Sequence, residues 1–450
     1  MSPARPLLRR YGLRLGALVV GAGFLLAAGN MAAGTPMIGR GTWWWWGGTS
    51  PLQVGTAVGN PALEDRALGT LLAYHFTWLY ESSGTLPTTA PAKLIAWHRR
   101  LAANGIGVQL LLSENTWIFP SKRAGLLALV QQRLLDFNAA CPDPAGRYSG
   151  LHLDIEPHAL PEWSTSDAAG KRALLIQLSD TYCAVRQYLD THGGAALTVQ
   201  ADLPVWFDNF GGTSVWPDAG QRDSWFATLG TALNAISLMA YERTTISSIQ
   251  NGIAWELANF AGQTRCALEF DAGAGLTWPT LDACFAAAAT IEANNGPAIG
   301  TDLHSFNHLS DLAPEPALPP WLSRRAWRLH HFATEVNAGD AADAADPDGD
   351  GLANLVEYSL GSDPHEPTAP PAVALVGGQL ALAFTRMRPA TDITYVVERS
   401  GDLLTWTPIW SSVEHPYAGG SELSALETVA DTEPLVGVAR RFLRLRVSAP

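Results

Sequence analysis

The sequence predicts an α/β protein in which a (β/α)8 barrel is followed by a small all-β, sandwich-like module. Eight short apolar or alternating runs recur between about residue 40 and residue 310, and segments with Leu and Ala at helical spacing separate them. Strands that alternate with helices imply a parallel sheet, and eight such units match a closed barrel in number and size. After residue 371 short strands separated by Gly, Pro, Asp and Ser replace the helical pattern.

Composition narrows the functional class. The chain has 450 residues, of which 47% are hydrophobic and 16% are charged, a balance typical of a folded globular protein. The formal net charge of −13 argues against nucleic acid and against anionic membrane surfaces as partners. A neutral substrate is compatible with this charge.

The first 34 residues have the order of a secretory signal peptide. Arginines up to position 14 precede an apolar run at residues 15–28, and small residues follow at positions 32–34. The run is short for a membrane span, so we expect no stable membrane insertion after cleavage; an uncleaved anchor is the alternative. The protein is therefore expected to be secreted or located at the cell surface or in the periplasm. We also expect it to be a monomer.

The cysteines fit export but leave their pairing open. Cys141, Cys183, Cys266 and Cys284 allow up to two disulfides in three pairings, with buried free thiols as the alternative. None belongs to a CxxC pair, so no zinc site is expected.

The predicted barrel spans residues 36–312. In such a barrel the active site lies at the C-terminal ends of the strands, so the residues that close each run are the candidates. Helices are expected between the runs, the clearest at 91–104, 124–140, 171–192 and 281–294. The predicted strands are 42–46, 72–80, 107–113, 150–156, 196–202, 235–241, 266–271 and 298–304.

The fourth run, residues 150–156, carries the strongest candidate site. Aliphatic side chains alternate there with His152, Asp154 and Glu156, so one face would pack against helices while the other points to the barrel axis. Carboxylates in a barrel interior are costly to bury without a partner or a task. The pattern favours catalysis; a structural charge cluster is the alternative.

The same alternation brings other polar side chains to this end of the barrel. Cleavage of a glycosidic bond needs an acid at the leaving oxygen and a group that stabilises an oxocarbenium-like transition state. Two carboxyl groups of different pKa supply both, so the sequence predicts a glycoside hydrolase. The inward positions expected to contact substrate are His152, Gln200, Asp202, Asp271, Asp302 and His304, with Met239, Tyr241 and Glu269 beside them.

Tryptophan is abundant, with 17 in the chain, and many lie at or beyond predicted strand ends. Flat apolar rings with one N–H donor suit sugar rings, so the expected partner is a polysaccharide or another glycan. Packing beneath loops is the alternative for each tryptophan. We expect sugar contacts from Trp44, Trp78, Trp117 and Trp206.

Residues 313–370 begin Pro-rich and are predicted to be a linker that contains a calcium-binding loop at 346–357. The loop has acidic residues at positions one, three and five, glycine at six and glutamate at twelve. Oxygen ligands at this spacing surround one Ca²⁺. We expect this structural ion and no cofactor for catalysis. The predicted ligands are Asp346, Asp348, Asp350, Leu352 through its carbonyl, Asn354 and Glu357.

Residues 371–450 are predicted to form the sandwich-like module. The stretches DPDGDGLANLVEYSLGSDP and YVVERSGDLLTWTPI resemble the C-terminal appendage of many exported proteins of environmental bacteria. This resemblance implies a location at or beyond the cell surface. The expected strands are 374–376, 380–384, 394–398, 406–409 and 441–447.

Two short barrel motifs resemble glycoside hydrolase family 18, the chitinases and endo-N-acetylglucosaminidases. GLHLDIEP looks like the DxxDxDxE strand of that family, and SLMAYE looks like its MxYD. The resemblance implies that Glu156 is the general acid, that Asp154 orients a substrate N-acetyl group and that Tyr241 helps to hold it. It further implies substrate-assisted, retaining cleavage of a glycan that contains N-acetylglucosamine. This chain departs from the motifs at Ser149, His152 and Glu242, where the family has Asp; Glu242 is still expected to contact substrate.

Three other interpretations stay open. In a retaining enzyme similar to the clan A glycosidases, Glu269 would be the nucleophile and Glu156 the acid/base, with carboxyl groups about 5 Å apart rather than about 6.5–9.5 Å as in inversion. Alternatively, the barrel binds carbohydrate without cleaving it, an interpretation that the presence of Glu156 disfavours. A metal-dependent hydrolase would draw its ligands from His152, Asp154, Asp302 and His304, which form no compact ligand motif.

Overall fold

The computed structural model describes residues 39–210, 215–269, 278, 280–296, 299–312, 320–387, 392–415, 423–435 and 440–449. Eight parallel strands close into a barrel in chain order, and β1 pairs with β8 to complete the ring. The predicted (β/α)8 barrel is thereby confirmed. The strands are β1 (Arg40–Trp44), β2 (Phe76–Glu81), β3 (Gly107–Ser113), β4 (Gly150–Asp154), β5 (Thr198–Pro204), β6 (Ala235–Met239), β7 (Gln263–Glu269) and β8 (Gly300–His304).

Helices lie between the strands and continue beyond the barrel. Single turns of tighter helix occur at Asn115–Ile118, Pro144–Gly146, Pro157–Ala159, Pro320–Leu322 and Gly339–Ala341, and a wider turn at Gln131–Leu135 joins α5 to α6. The α-helices are α1 (Val54–Ala57), α2 (Pro61–Ala73), α3 (Leu86–Thr89), α4 (Pro91–Ala103), α5 (Pro120–Val130), α6 (Asp136–Ala140), α7 (Pro161–Thr165), α8 (Ala168–Thr191), α9 (Ala219–Ala232), α10 (Ile246–Asn259), α11 (Leu281–Asn295), α12 (Phe306–Leu312), α13 (Arg324–Phe332) and α14 (Asn354–Leu360).

Short polar side chains begin the long helices. Asp167 caps α8, Asp218 caps α9 and Thr245 caps α10, each by accepting a hydrogen bond from a backbone N–H of the first turn. Such a cap satisfies one of the amide groups that a helix start leaves without a partner. Capping therefore fixes the residue at which each of these helices begins.

The barrel strands separate two apolar layers. Leu151, Leu153 and Ile155 point outward and pack against the helices in the large core cluster, as the alternation predicts. A smaller cluster of Trp43, Tyr80 and other inward side chains fills the barrel itself. The second strand begins later than predicted, because α2 extends to Ala73 and uses the leucines that precede the strand as core contacts.

Two three-stranded antiparallel sheets follow the barrel, in the orders β13-β10-β9 and β12-β11-β14. The strand β13 was not expected from the sequence, since its exposed Leu426 hides the usual alternation of core and surface. Trp327 on α13 and Tyr358 on α14 pack into the core between these sheets, so the predicted linker adds to the module. The strands are β9 (Ala372–Val376), β10 (Gln379–Met387), β11 (Thr394–Ser400), β12 (Thr407–Ser411), β13 (Ser424–Ala430) and β14 (Phe442–Ser448).

Charged side chains join the barrel to this region. Ser323, the N-cap of α13, donates a 2.9 Å hydrogen bond to Asp65 on α2, and Arg325 lies 3.6 Å from the same carboxylate. Arg324 binds Asp392 through its backbone N–H at 2.8 Å. The start of α13 thus contacts both the barrel helices and the β module.

The disulfide prediction is wrong for this structure, in which all four cysteines are free. Cys266 on β7 and Cys284 on α11 are instead buried members of the outer apolar layer, where a thiol behaves as a small hydrophobic group. Among the described residues, no helix is both long and apolar enough to cross a membrane.

Candidate active site

The inward side chains of the barrel form successive layers, and the deepest polar layer is a closed ion-pair network. Asp302 on β8 is fully buried and accepts hydrogen bonds of 2.9 and 2.8 Å from Nε and Nη2 of Arg265 on β7. The Tyr80 hydroxyl donates to the same carboxylate at 2.7 Å, and Ser237 donates a short hydrogen bond to it. The Asp302 carboxylate thus has its partners within the barrel wall.

This network corrects two predictions. Asp302 and Gln200 were expected to contact substrate, but both are completely buried, and Gln200 donates at 3.1 Å to the hydroxyl of Tyr80. Sequence reasoning missed Arg265, although a cation at an inward position of β7, followed by three apolar residues, was a usable signal. These residues are buried beneath the mouth and support the site from below.

A second buried group lies beside the network and joins three strands. Oδ2 of Asp202 on β5 lies 2.8 Å from Nε2 of His152 on β4 and accepts a 3.0 Å hydrogen bond from Nε1 of Trp43 on β1. Burial lowers the pKa of His152 to about 3, so its imidazole is neutral at physiological pH. The Tyr80 ring covers it at a centroid distance of 4.0 Å. His152 and Asp202, both predicted to bind substrate, are instead enclosed by protein atoms.

Asp154 and Glu156 lie at the mouth of the barrel. Oδ2 of Asp154 accepts a 3.0 Å hydrogen bond from Ser113 on β3, while its Oδ1 is buried and has no hydrogen-bond partner among the described residues. Asn115 accepts a 2.8 Å hydrogen bond from the backbone N–H of Glu156 and so holds the chain just beyond β4. The Glu156 carboxyl is half-buried and accepts no hydrogen bond from the described residues.

The two carboxyl groups have raised and unequal pKa values. Burial, followed by the charge of Asp202, raises the pKa of Asp154 to about 6, and the bond from Ser113 opposes this rise. Burial, followed by the charges of Asp154 and Asp202, raises the pKa of Glu156 to about 7. Near neutral pH the pair can therefore hold one proton that resides mainly on Glu156.

The opposite wall of the mouth consists of Tyr241, Glu269 and His304. Nδ1 of His304 lies 3.3 Å from Oε1 of Glu269, an ion-pair distance if the imidazole is protonated. The His304 ring also contacts the rings of Tyr241 and Trp43, at centroid distances of 5.6 and 5.5 Å. Burial raises the pKa of Tyr241 well above its usual value, so its hydroxyl is a hydrogen-bond donor.

Some of the tryptophans lie at the mouth of the barrel and others lie in the core. Trp44 is fully buried on the outward face of β1, where it contacts Trp97 and donates to the Leu52 carbonyl at 2.6 Å. Trp78 packs deep in the barrel against Gly107, at the start of β3. The prediction that these two bind sugar is wrong, because one faces the helices and the other lies below the mouth. The inward tryptophans are Trp43 on β1 and Trp45 directly after it, which sequence reasoning did not select.

The other predicted contacts are less enclosed. Trp117 lies on the turn after β3 and is half-buried. Trp206, beyond β5, is also half-buried, and its ring lies 5.7 Å from that of His158. Glu242 is exposed beyond β6. Asp271 lies outside the described residues, so its predicted role has no structural account.

The acidic loop after the barrel is a separate candidate site. Ligand atoms of Asp346, Asp348 and Asp350 lie within 4.8 Å of one another, and in the described part of the chain this is the only such group of three or more potential metal ligands. The metal-hydrolase interpretation of the barrel therefore lacks a ligand cluster among the described residues. Within the described part of the chain, Oδ2 of Asp348 and Oε2 of the fully buried Glu357 have no hydrogen-bond partner. Asn354 differs, because its amide group donates to two backbone carbonyls at 2.7 and 2.8 Å.

Comparison with known proteins reveals similarity at the level of structure only. No protein-family model and no curated protein matches the chain. A family GH18 chitinase from Chromobacterium violaceum is 14% identical, with a TM-score of 0.41, over 61% of this chain and 80% of the chitinase. An endo-beta-N-acetylglucosaminidase from Cordyceps militaris is 14% identical (TM-score 0.35; 61% and 89% covered), and D-psicose 3-epimerase from Clostridium cellulolyticum is 10% identical (TM-score 0.35; 62% and 91%). Likeness of this size says nothing about the reaction of this chain.

Proposed function

We propose that the protein is an exported glycoside hydrolase that cleaves a glycan containing N-acetylglucosamine, with Glu156 as the general acid. The observation that carries this proposal is the carboxyl pair at the barrel mouth. Glu156 has a pKa of about 7, above that of Asp154 at about 6, and its carboxyl is not engaged by the described residues. Two neighbouring carboxyl groups with separated pKa values are what acid-assisted glycoside cleavage requires.

Each residue then has a distinct task. Protonated Glu156 donates its proton to the glycosidic oxygen as the bond to the sugar breaks. The acetamide oxygen of the substrate attacks the anomeric carbon, and ionised Asp154 steadies the acetamide N–H. Tyr241, a neutral donor on the opposite wall, binds the acetamide oxygen. The leaving alcohol keeps the proton. Water then attacks the anomeric carbon and opens the cyclic intermediate while ionised Glu156 removes a proton from that water, which restores the acid and yields a retained anomer.

The alternatives differ in what Glu269 does. As the nucleophile of a retaining enzyme it would have to attack the sugar directly, yet here it lies at ion-pair distance from His304. We assign Glu269 to substrate binding for this reason. If the barrel only binds sugar, neither carboxyl of the pair needs its raised pKa.

A substrate screen tests the proposal. The purified protein is incubated with methylumbelliferyl glycosides of N-acetylglucosamine, glucose and galactose and with chitin oligosaccharides, and products are followed by fluorescence and by new reducing ends. We expect release only from substrates with an acetamide next to the scissile bond. Binding of these sugars without cleavage would favour a carbohydrate-binding barrel, and preferred cleavage of the glucosides would favour Glu269 as nucleophile.

We also propose that the acidic loop binds a structural Ca²⁺. Asp346, Asp348, Asp350 and Glu357 fit the ion, because oxygen atoms of Asp348 and Glu357 are left without hydrogen-bond partners beside like charges. A bound divalent cation would neutralise this repulsion. Leu352 can contribute only its carbonyl, and Asn354 secures the loop backbone.

A further inference from the structure

We propose that Asp202 is a neutral carboxylic acid in the folded protein and acts as a positioning residue that directs its proton to Asp154. The inference concerns a residue outside the acid pair, and its kinetic consequences rest on the proposed function. It is carried by the hydrogen-bond geometry around Asp202 and by the register of two neighbouring strands.

Nε1 of Trp43 and Nε2 of His152 approach the same oxygen of Asp202, and both donate to it when the neutral imidazole carries its proton on Nε2. Trp43 and His152 bind Oδ2 at 3.0 and 2.8 Å, and neither brings a charge, because the buried imidazole is neutral. No lysine or arginine among the described residues pairs with this carboxyl. Asp302 provides the contrast within the same barrel, since it is equally buried but forms a salt bridge with Arg265. A buried carboxylate that lacks a cation is unstable relative to its protonated form.

The other oxygen of Asp202 is unpartnered and lies on the strand next to Asp154. Among the described residues, Oδ1 of Asp202 is buried without a hydrogen-bond partner, and so is Oδ1 of Asp154. The register pairs His152 with Gln200 and Leu153 with Ala201, so the next inward residues on β4 and β5 are Asp154 and Asp202. Adjacent strands lie about 4.8 Å apart, which brings the two carboxyl groups side by side. A proton on Oδ1 of Asp202 would supply the hydrogen-bond donor that Oδ1 of Asp154 lacks.

The surroundings of Asp202 favour the neutral form. Burial, followed by the negative charge of Asp302, raises the pKa of Asp202, while the hydrogen bond from Trp43 and the charge of His304 lower it. Burial is the largest of these effects, and the pKa lies well above its usual value. An anionic Asp202 would raise the pKa values of Asp154, Glu156, Tyr241 and Tyr182, which lie within electrostatic reach. With Asp202 neutral this contribution is absent, and burial remains the largest cause of the raised pKa of each group.

The Asp202→Asn variant distinguishes a neutral Asp202 from an anionic one. An amide group has the shape of a protonated carboxyl group and, like it, donates a hydrogen bond. The kcat of Asp202→Asn on methylumbelliferyl N,N′-diacetylchitobioside should therefore stay within about threefold of the parental value. The alkaline limb of the pH profile should not move. Asp202→Ala should lower kcat by about 10²-fold with little change in KM, because Asp154 loses its orienting donor. Asp302→Asn is the matched control, and we expect it to lower the Tm strongly because the buried Arg265 loses the carboxylate that neutralises its charge.

An anionic Asp202 predicts different kinetics for the same variants. If Asp202 is an anion, removal of its charge lowers the pKa of Glu156, so the alkaline limb of Asp202→Asn moves to lower pH and kcat falls as far as in Asp202→Ala. Either change overturns the proposal.

A spectroscopic measurement on the unaltered protein needs neither a folded variant nor a substrate. With ¹³Cγ-labelled aspartate, one carboxyl resonance should remain at the protonated position near pH 8, where Asp154, with a pKa of about 6, has ionised. If every aspartate resonance is that of an ionised group at this pH, Asp202 is not neutral. A protein that cleaves no glycan but retains the protonated resonance would refute the proposed function and leave this inference intact.

Discussion

The indole Nε1 of Trp43 donates a 3.0 Å hydrogen bond to Oδ2 of Asp202, which connects the first and fifth strands through the barrel interior. His152 shares the same oxygen at 2.8 Å and lies two residues before Asp154 on β4. The position of the acid pair therefore depends on contacts that begin on the opposite side of the barrel.

We predict that Trp43→Phe lowers both stability and kcat. The loss of one buried hydrogen bond should cost about 1–3 kcal/mol, and Asp202 is then free to shift away from His152. Trp44→Phe is the control, since it also removes a buried hydrogen bond but faces the outer helices. Calorimetry should show a lower Tm for both variants, whereas steady-state kinetics should show lower kcat for Trp43→Phe alone. Equal kcat values in the two variants would contradict a link between Trp43 and catalysis.

The pH profile of kcat/KM should be a narrow bell. Activity requires ionised Asp154 and protonated Glu156, whose pKa values are about 6 and about 7. Activity should therefore fall as pH drops below about 6 and as it rises above about 7, with the two limbs belonging to the coupled pair. Measurement from pH 4 to pH 9 on the chitobioside substrate checks this. A flat profile across pH 6–8 would exclude the pair as the titrating groups.

Glu256 on α10 predicts a pH-dependent stability outside the active site. Its side chain is fully buried, both carboxyl oxygens lack partners, and burial together with Asp208 raises its pKa from 4.5 to about 8. A raised pKa means that the ionised form is disfavoured in the folded protein, so stability is lost as pH rises from about 4.5 through about 8.

Glu256→Gln should remove this loss. We expect the Tm advantage of the variant over the parent to grow as pH rises from about 5 to about 8. Glu162→Gln, at an exposed position on α7, should leave the pH dependence of the parent unchanged. A difference in Tm between Glu256→Gln and the parent that is constant with pH would mean that Glu256 keeps an ordinary pKa.

The sequence predicted side-chain orientation correctly on strands, where residues alternate between the two faces. Inward Asp154 and outward Leu153 follow from alternation on one strand, and β3 has the bounds expected from its apolar run. Alternation also predicts that Trp43 and Trp45 point into the barrel and that Trp44 points outward. The prediction that Trp44 binds sugar was inconsistent with this alternation.

Depth within the barrel was the information that the sequence lacked. Gln200, Asp202 and Asp302 point inward as expected, yet they lie below the mouth and are buried. Their depth depends on the stagger of neighbouring strands and on partners such as Arg265, which come from distant parts of the chain. Alternation within a single strand carries neither kind of information.

The calcium proposal predicts a proton-linked binding step. Burial, followed by the charges of Asp348, Asp350 and Asp346, raises the pKa of Glu357 to about 7 without the ion. Calcium should displace that proton, so its apparent affinity should increase as pH rises through about 7. Titration calorimetry of the whole protein in two buffers of different ionisation enthalpy should detect the proton release.

Binding at the loop should also stabilise the fold. At a calcium concentration about 100-fold above Kd the expected gain is about 2.7 kcal/mol, seen as a higher Tm that a chelator reverses. Glu357→Gln should abolish the gain, whereas Glu366→Gln, at an exposed position nearby, should keep it. A Tm that calcium and chelator leave unchanged would refute the site.

The central claim is that Glu156 is the general acid, and its substitution tests that claim most directly. Glu156→Gln preserves the size of the side chain but cannot donate a proton of suitable acidity, so single-turnover cleavage of the chitobioside substrate should slow by about 10²-fold or more. A substrate whose leaving group needs no proton should be much less affected, and Glu269→Gln should act mainly on KM. If Glu156→Gln cleaves every substrate of the parent protein at the parental rate, the catalytic centre lies elsewhere and the account is wrong.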